Sequence, residues 1–180
     1  FQVKRGQRAV YLKDERALED HLIDLGVEVG VLNVANGESR AGADLRELAG
    51  FARDISGVIR TLGDKLGDAR VAEQAAVIGA LGPDAVPTIA EATAAGETIA
   101  RRLADYEANG ALWSGEGFTD EAGHPGYRVI RESNGYKAVY EMGPRLLNSE
   151  EAQYLASHRE RLKRLFERPA TLVAKERETP

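Results

Sequence analysis

The chain contains no cysteine, one methionine and one tryptophan among its 180 residues. Without cysteine it can form neither a disulfide scaffold nor a thiolate-ligated zinc or iron–sulfur site. No apolar run approaches the roughly 20 residues that a membrane-spanning helix needs, and no signal-peptide pattern opens the chain. We therefore expect no membrane segment and a reducing, cytoplasmic location. Phe1 begins a strand-like run at once, which suggests a segment of a longer protein.

Positive charge is also scarce, since 29 acidic side chains outnumber 24 basic ones. The acidic excess lies in residues 17–144, with 21 acidic against 11 basic side chains, whereas residues 1–16 and 145–168 are net positive. An acidic body repels DNA phosphates, so any contact with nucleic acid should come from the two basic ends. Both ends can equally be ordinary solvated faces.

The N-terminal residues combine a strand-like and a helix-like pattern. Residues 1–12 alternate apolar and polar side chains around Gly6, which is typical of a β-hairpin. Asp14 can cap a helix over residues 15–25 that ends at Gly26. One face of this helix carries three leucines: Leu18, Leu22 and Leu25.

A strand over residues 27–34 and a turn over 36–39 separate this helix from a longer one. Seven apolar residues recur there at steps of three or four, which places them on one stripe of a helix about 24 residues long. These residues are Leu45, Leu48, Ala52, Ile55, Ile59, Leu62 and Leu66. The pair Gly67-Asp68 ends this helix.

Two further helices should follow. An alanine-rich stretch predicts the first over residues 69–81, and Gly82-Pro83 ends it. The second should run over residues 88–108 with five side chains facing inward: Ile89, Ala92, Ile99, Leu103 and Tyr106. We expect the three helices to pack as one all-α unit.

The period then changes from that of a helix to that of a strand. Three strands are predicted, over residues 112–119, 127–132 and 136–142. Asn134-Gly135 is a typical two-residue hairpin turn between the last two. The pattern therefore predicts an α+β fold with a three-helix unit, a small antiparallel sheet and a C-terminal helix.

The C-terminal helix is predicted over residues 149–167, capped by Asn148 or Ser149 and stopped by Pro169. Its apolar side carries four residues: Leu155, Leu162, Leu165 and Phe166. The tail over residues 170–180 should be extended and partly loose.

No arrangement for catalysis or metal binding stands out. The three histidines, His21, His124 and His158, lie far apart and none has a second histidine at metal-site spacing. Gly115-Glu116-Gly117 is not followed by the Lys-Ser/Thr helix start of a phosphate loop, and Ser114 has no Gly-x-Ser-x-Gly frame. We expect no catalytic, metal-binding or cofactor-binding residue in this chain.

Basic side chains near both ends are the candidates for DNA contact. Arg161, Arg164 and Arg168 are spaced three and four, so they can follow a phosphate backbone from one helix. Basic residues late in a helix can also just complement its dipole. The full candidate set is Lys4, Arg5, Arg8, Arg159, Arg161, Lys163, Arg164 and Arg168.

Four aromatic residues lie on the predicted strands: Trp113, Tyr127, Tyr136 and Tyr140. Aromatic rings on a sheet can stack on nucleic-acid bases. More often such residues form the core of the sheet.

Several stretches carry a resemblance to a known family. The run FQVKRGQRAVYLKDE, residues 1–15, resembles part of the Toprim region of DNA gyrase B subunits. In many Gram-negative bacteria that region contains a long insertion. Residues 41–48 resemble the opening of this insertion, residues 127–135 resemble its strand pair, and residues 144–167 resemble its closing helix. The alanine-rich composition of the chain is similar to that of the insertion in alphaproteobacteria.

The resemblance implies an accessory role rather than catalysis. The intact enzyme of that family is an ATP-driven type IIA topoisomerase that negatively supercoils DNA as a heterotetramer with the A subunit. The insertion is described as aiding DNA binding and coupling. ATP and Mg²⁺ belong to the full-length enzyme, and the Toprim Glu and Asp-x-Asp that would hold magnesium are not in this chain.

This resemblance gives a division of the chain and a set of expected partners. Residues 1–35 would be the flank from the host Toprim region, and residues 169–180 would be an extended tail. Residues 36–168 would be the insertion, with a helical part over 36–110 and a hairpin and helix over 111–168. Expected partners are double-stranded DNA, bound weakly and without sequence preference, the A subunit and the rest of the gyrase B chain. The alternative is a structural spacer or a protein-interaction module without direct DNA contact.

Overall fold

The computed structural model describes residues 2–5, 8–34, 37–108, 110–166, 168 and 170–174, with only the backbone of Arg5 and Arg8. Its helices are α1 Glu15–Val27, α2 Gly42–Leu66, α3 Ala69–Ile78, α4 Ile89–Asp105, α5 Pro144–Leu147, α6 Glu150–Ser157 and α7 Arg159–Phe166. Its strands are β1 Gln2–Arg5, β2 Arg8–Tyr11, β3 Gly30–Asn33, β4 Ser39–Ala41, β5 Leu112–Thr119, β6 Pro125–Ser133, β7 Tyr136–Met142 and β8 Thr171–Ala174. The α+β prediction is confirmed. No described helix is long and apolar enough to cross a membrane.

The chain divides into two compact units. The first consists of residues 1–54 with 168–180, and the second of residues 55–167. In the described part of the first unit the buried apolar side chains are Val34, Leu45 and Leu48, whereas the second unit buries 26. The second unit therefore has a hydrophobic core of its own. The assignment of residues 1–35 to a host domain and of 36–168 to an insertion stays a prediction.

The first unit contains two small antiparallel sheets. Strands β1 and β2 form the predicted hairpin, whose proposed turn at Gly6 lies outside the described residues. The other sheet has the order β4-β3-β8, and β4 was not predicted. Strand β8 lies in the predicted tail and pairs with β3, so that Thr171 lies opposite Asn33. Residues 175–180 lie outside the described part.

Helix α1 begins as predicted but ends later. The Asp14 side chain accepts a hydrogen bond from the Ala17 backbone N–H at 2.8 Å. Gly26 does not stop the helix, because Gly26 lacks the positive φ of a left-handed cap and the helix continues through Val27. The prediction of a strand beginning at residue 27 was thus wrong, and Leu22, expected on the apolar face, is 54% exposed.

The long helix and the break after it are confirmed. Five residues of its apolar stripe are buried: Leu45, Leu48, Ile55, Leu62 and Leu66. Gly67 has φ +103°, and the Asp68 side chain caps α3 by accepting from the Arg70 backbone N–H. The next helix ends earlier than predicted, because Gly79 adopts φ +75° and closes α3 before Gly82-Pro83.

Helix α4 lies directly on strands β5 and β6. A Cβ atom added to Gly115 would lie 2.0 Å from the Gly96 carbonyl carbon, and one added to Gly117 would lie 2.4 Å from Thr93 Oγ1. The glycines around Glu116 therefore allow helix and sheet backbones to meet, which is a packing role. Since α4 also packs on α3, helices and sheet share one core.

Two residues predicted to face inward from α4 are exposed. Ile89 is the first residue of the helix and is 46% exposed, and Tyr106 lies just beyond its end and is 66% exposed. Ala92, Ile99 and Leu103 are buried as predicted.

The β5-β6-β7 sheet has the predicted antiparallel order. Asn134 and Gly135 adopt φ +51° and +77°, the left-handed conformation that a tight hairpin turn requires. Tyr127 and Met142 lie opposite each other and are fully buried.

The C-terminal helix is interrupted, which differs from the prediction of one helix over 149–167. Helix α6, capped by Ser149, ends at His158, and α7 begins at Arg159. The short helix α5, with Pro144 at its start, precedes them and was not predicted. The predicted stop at Pro169 lies outside the described residues.

Candidate nucleic-acid interface

Helix α7 presents a basic surface above a buried apolar side. Leu162 and Leu165 are buried in the core of the second unit. The remaining positions before Phe166 hold four basic side chains and one acidic side chain: Arg159, Glu160, Arg161, Lys163 and Arg164. The helix therefore carries three net positive charges over eight residues, a local exception to the acidic body of the chain.

Lys163 and Arg164 are the exposed cations in the last turn of α7. The helix dipole stabilises positive charges at this end of the helix. Because both side chains are exposed, they are also accessible to an anion such as a DNA phosphate. The geometry is compatible with both interpretations that the sequence left open.

Arg159 and Arg161 are more constrained. The Arg159 Nε donates to Glu160 Oε1 at 3.2 Å, and its aliphatic stem lies beside Gly79 at the end of α3. Since the side chains of Arg159 and Glu160 are both largely exposed, this ion pair contributes little stability. Arg161 is only partly exposed and also takes part in an interaction.

Arg168 does not continue the row along α7. The helix ends at Phe166, so Arg161, Arg164 and Arg168 do not share one helical face as their spacing predicted. Arg168 is exposed and belongs to the first unit, whereas α7 belongs to the second.

The N-terminal candidates lie on the β1–β2 hairpin. Lys4 is exposed and lies opposite Ala9 on the neighbouring strand. Arg5 lies opposite Arg8. Residues 2–11 contain no acidic side chain. The hairpin is therefore a second local basic element, in the first unit.

The aromatic residues of the sheet have mostly structural surroundings. Trp113 stacks on Tyr140 at a centroid distance of 6.2 Å, and the guanidinium groups of Arg70 and Arg131 lie 5.5 and 5.8 Å from its ring centre. The Tyr127 hydroxyl donates to the Ala80 carbonyl at 2.9 Å inside the core. Of the four aromatic residues predicted on strands, Tyr136 is the one with a largely exposed ring.

A polar cluster around Trp113 was not found from the sequence. The carboxylate of Glu107, 5% exposed, accepts hydrogen bonds from Trp113 Nε1 at 3.1 Å and from Arg131 Nε at 3.3 Å. Arg70 is paired with Asp68, the cap of α3, at 2.7 Å. Burial raises the pKa of Asp68, but hydrogen bonds from Arg70 outweigh it and lower that pKa overall. No linear pattern joins residues so far apart in the chain.

Among the residues that the structure describes, no group of three or more His, Asp or Glu side chains could hold a metal ion. His124 Nδ1 lies 3.3 Å from Asp120 Oδ2, and the backbone N–H of His124 lowers the pKa of Asp120 by donating to its carboxylate. His158 is the C-terminal cap of α6, and the centre of its ring lies 4.6 Å from the centre of the Tyr154 ring. Each of these two histidines thus has a local structural role.

Comparison with known proteins finds relatives of this chain. No protein-family model matches it. It is 30% identical over 180 residues, 99% of its length, to the DNA gyrase B chain of Caulobacter vibrioides, in strain NA1000 / CB15N and in strain ATCC 19089 / CIP 103742 / CB 15 alike. The chain spans 20% of the length of these relatives. Along its whole length it is therefore related to a segment of the DNA gyrase B chain.

Proposed function

We propose that this chain is the accessory insertion of a gyrase B chain together with its flanks, and that it aids DNA positioning and coupling during ATP-dependent negative supercoiling. The observation that carries the proposal is the 30% sequence identity to the gyrase B chain, which extends over 99% of this sequence. Strand cleavage and ATP hydrolysis would belong to other parts of the intact type IIA topoisomerase. By the same proposal ATP and Mg²⁺ act there, and the whole enzyme works in the cytoplasm.

The first unit supports an insertion that leaves and re-enters a host domain. Strand β3 ends at Asn33, and β8 begins at Thr171, directly opposite it on the neighbouring strand. The intervening residues 34–170 thus form an excursion from two adjacent strands. Insertions are tolerated where their two ends lie close together at a surface.

The second unit supports an insertion that folds largely from its own residues. It contains 26 of the 29 buried apolar side chains of the described residues. A core of that size can be buried without help from a host domain. Its net charge is acidic apart from α7, so repulsion from DNA would leave α7 as its contact.

DNA contact is proposed for α7, for the N-terminal hairpin and for Arg168, which follows α7 in the chain and belongs to the first unit. The residues are Lys4, Arg5, Arg8, Arg159, Arg161, Lys163, Arg164 and Arg168. Such contacts reach phosphates and carry no sequence information. Other proposed partners are the A subunit and the remainder of the gyrase B chain.

The experiment is a titration of this chain with duplex DNA over a range of salt concentrations. If about three to five phosphates are neutralised, log K should fall with log salt with a slope of about −3 to −4.5. The variant K163E/R164E should bind more weakly and lower the slope by about 2, since each lost phosphate contact contributes about 0.9.

A matched control reverses two exposed arginines elsewhere, R60E/R101E. Both lie on the acidic part of the second unit, on α2 and α4. Arg102 is unsuitable as a control because its Nε donates to the buried Gln74 side chain at 2.6 Å. Equal losses in both variants would contradict α7 as the contact. No binding at low salt would favour the alternative, which is a spacer or a protein-interaction module. For that alternative, the exposed surface of the β5-β6-β7 sheet, which carries charges of both signs, is a second candidate face.

A further inference from the structure

Helix α1 is attached to the first unit in an unusual way. None of its residues is buried. Two ion pairs instead join it to the first half of α2, between Asp24 and Arg46 and between Asp20 and Arg53. The second pair has an Nη1–Oδ1 distance of 2.6 Å. Apolar side chains such as Leu18, Ile23 and Leu25 are half-buried, so the two ion pairs add to a partial apolar contact.

The two pairs fix the register of the helices. The aspartates are four residues apart on α1, and the arginines are seven apart on α2, in opposite order along the two helices. All four side chains are partly exposed, with Arg46 at 51% and Asp24 at 49%. Dissolved salt can therefore screen both pairs.

The surrounding charge opposes the docking of α1. The helix carries four acidic side chains and one arginine, and residues 42–54 of α2 carry three acidic side chains and two arginines. Apart from the two pairs, the facing helices would repel each other. The hydrogen bond from Arg53 lowers the pKa of Asp20, which keeps that carboxylate charged.

We propose that these two ion pairs form a salt-sensitive latch, and that α1 leaves α2 when ions compete for Arg46 and Arg53 while the core of the second unit stays folded. Residues 12–14 are the chain segment between β2 and α1. Because this segment is short, opening of the latch would also change the position of the hairpin that carries Lys4. This inference concerns the motion of the N-terminal elements and does not depend on whether they bind DNA.

The test is hydrogen exchange of the 180-residue chain, measured by mass spectrometry at low salt and at about 0.5 M salt, where screening acts over only a few ångströms. Amides of α1 should exchange about three to ten times faster at high salt, because exposed pairs are individually weak but here act together. Amides of α3 and α4 should change less than about twofold.

Variants separate the latch from general effects of charge. D20N should speed the exchange of α1 at low salt about threefold and reduce its response to salt. The control E19Q removes the same charge from the neighbouring position and should behave as the native chain. The charge swap D20R/R53D should exchange more slowly than D20R alone. Exchange of α1 that does not respond to salt, or a swap that restores nothing, would overturn the latch.

Discussion

Tyr127 ties the sheet of the second unit to the segment that follows α3. Its ring is fully buried, and its hydroxyl donates to the carbonyl oxygen of Ala80, which is also buried. A strand position for Tyr127 follows from the alternating pattern of its neighbours. Its partner does not, because Ala80 is 47 residues away and carries no side-chain signal.

Replacement of Tyr127 should be costly and should alter the response to alkali. Y127F leaves a buried carbonyl unpaired, so it should lower the free energy of unfolding by about 1–3 kcal/mol at neutral pH. Burial raises the pKa of Tyr127. The stability linked to its proton is complete below about pH 10 and is lost as the pH rises above that value, with a slope of about 1.4 kcal/mol per pH unit.

Urea unfolding between about pH 8 and about pH 11 measures this effect. Above about pH 10 the native chain should lose stability more steeply than Y127F. Y136F is the control, because the Tyr136 ring is 71% exposed. Parallel curves for all three proteins would mean that the Tyr127 hydroxyl is not held in its protonated form by the fold.

At the scale of elements, the packing of α4 on β5 depends on small residues. Gly115 faces the backbone of Gly96, which cannot move aside as a flexible side chain could. G115A should therefore push the helix from the sheet and destabilise the second unit by about 1–3 kcal/mol or more, as overpacking does. Thermal unfolding monitored by circular dichroism would report a lower Tm.

A glycine on α2 provides the control for G115A. A Cβ atom at Gly57 would meet nothing within 4 Å, and Gly57 lies within a helix. G57A should therefore leave stability unchanged or raise it by about 0.5–1 kcal/mol. A native Tm for G115A would show that α4 and β5 can separate without loss.

Helix bodies could be predicted from the sequence better than helix ends. The stripe from Leu45 to Leu66 specifies α2 because seven residues repeat the same information. The ends of α1 and α3 depend on the backbone conformation of single glycines, Gly26 and Gly79, and sequence does not reveal which glycine adopts positive φ. Each end was therefore misplaced by a few residues.

The same limit affects the candidate site. Composition identified a basic C-terminal region, and α7 carries most of it on an exposed surface. The row of Arg161, Arg164 and Arg168 required a continuous helix, but α7 ends at Phe166 and α6 ends at His158. Amphipathic spacing runs through both breaks, so it could not signal them.

At the scale of the whole molecule, the two ends of the excursion between β3 and β8 can be joined directly. Asn33 and Thr171 face each other on adjacent antiparallel strands. Elsewhere in the chain, Ser133 and Tyr136 face each other in the same way and are joined by Asn134-Gly135. An Asn-Gly pair inserted between Asn33 and Thr171 should therefore close β3 and β8 into a hairpin.

In the intact gyrase B chain that our proposal implies, replacing residues 34–170 by Asn-Gly should leave drug-trapped DNA cleavage near the native level but lower supercoiling. The deletion removes the second unit, which has its own core, together with residues 34–54 and 168–170 of the first unit, and it preserves the β3–β8 pairing. We expect it to affect positioning and coupling rather than bond chemistry. Supercoiling and cleavage would be measured on the same preparation, beside a full-length K163E/R164E variant. Native supercoiling by the deletion enzyme would refute the coupling role. An insoluble deletion protein would instead show that the excursion completes the core of its host, and loss of cleavage together with supercoiling would show that it contributes to the DNA gate itself.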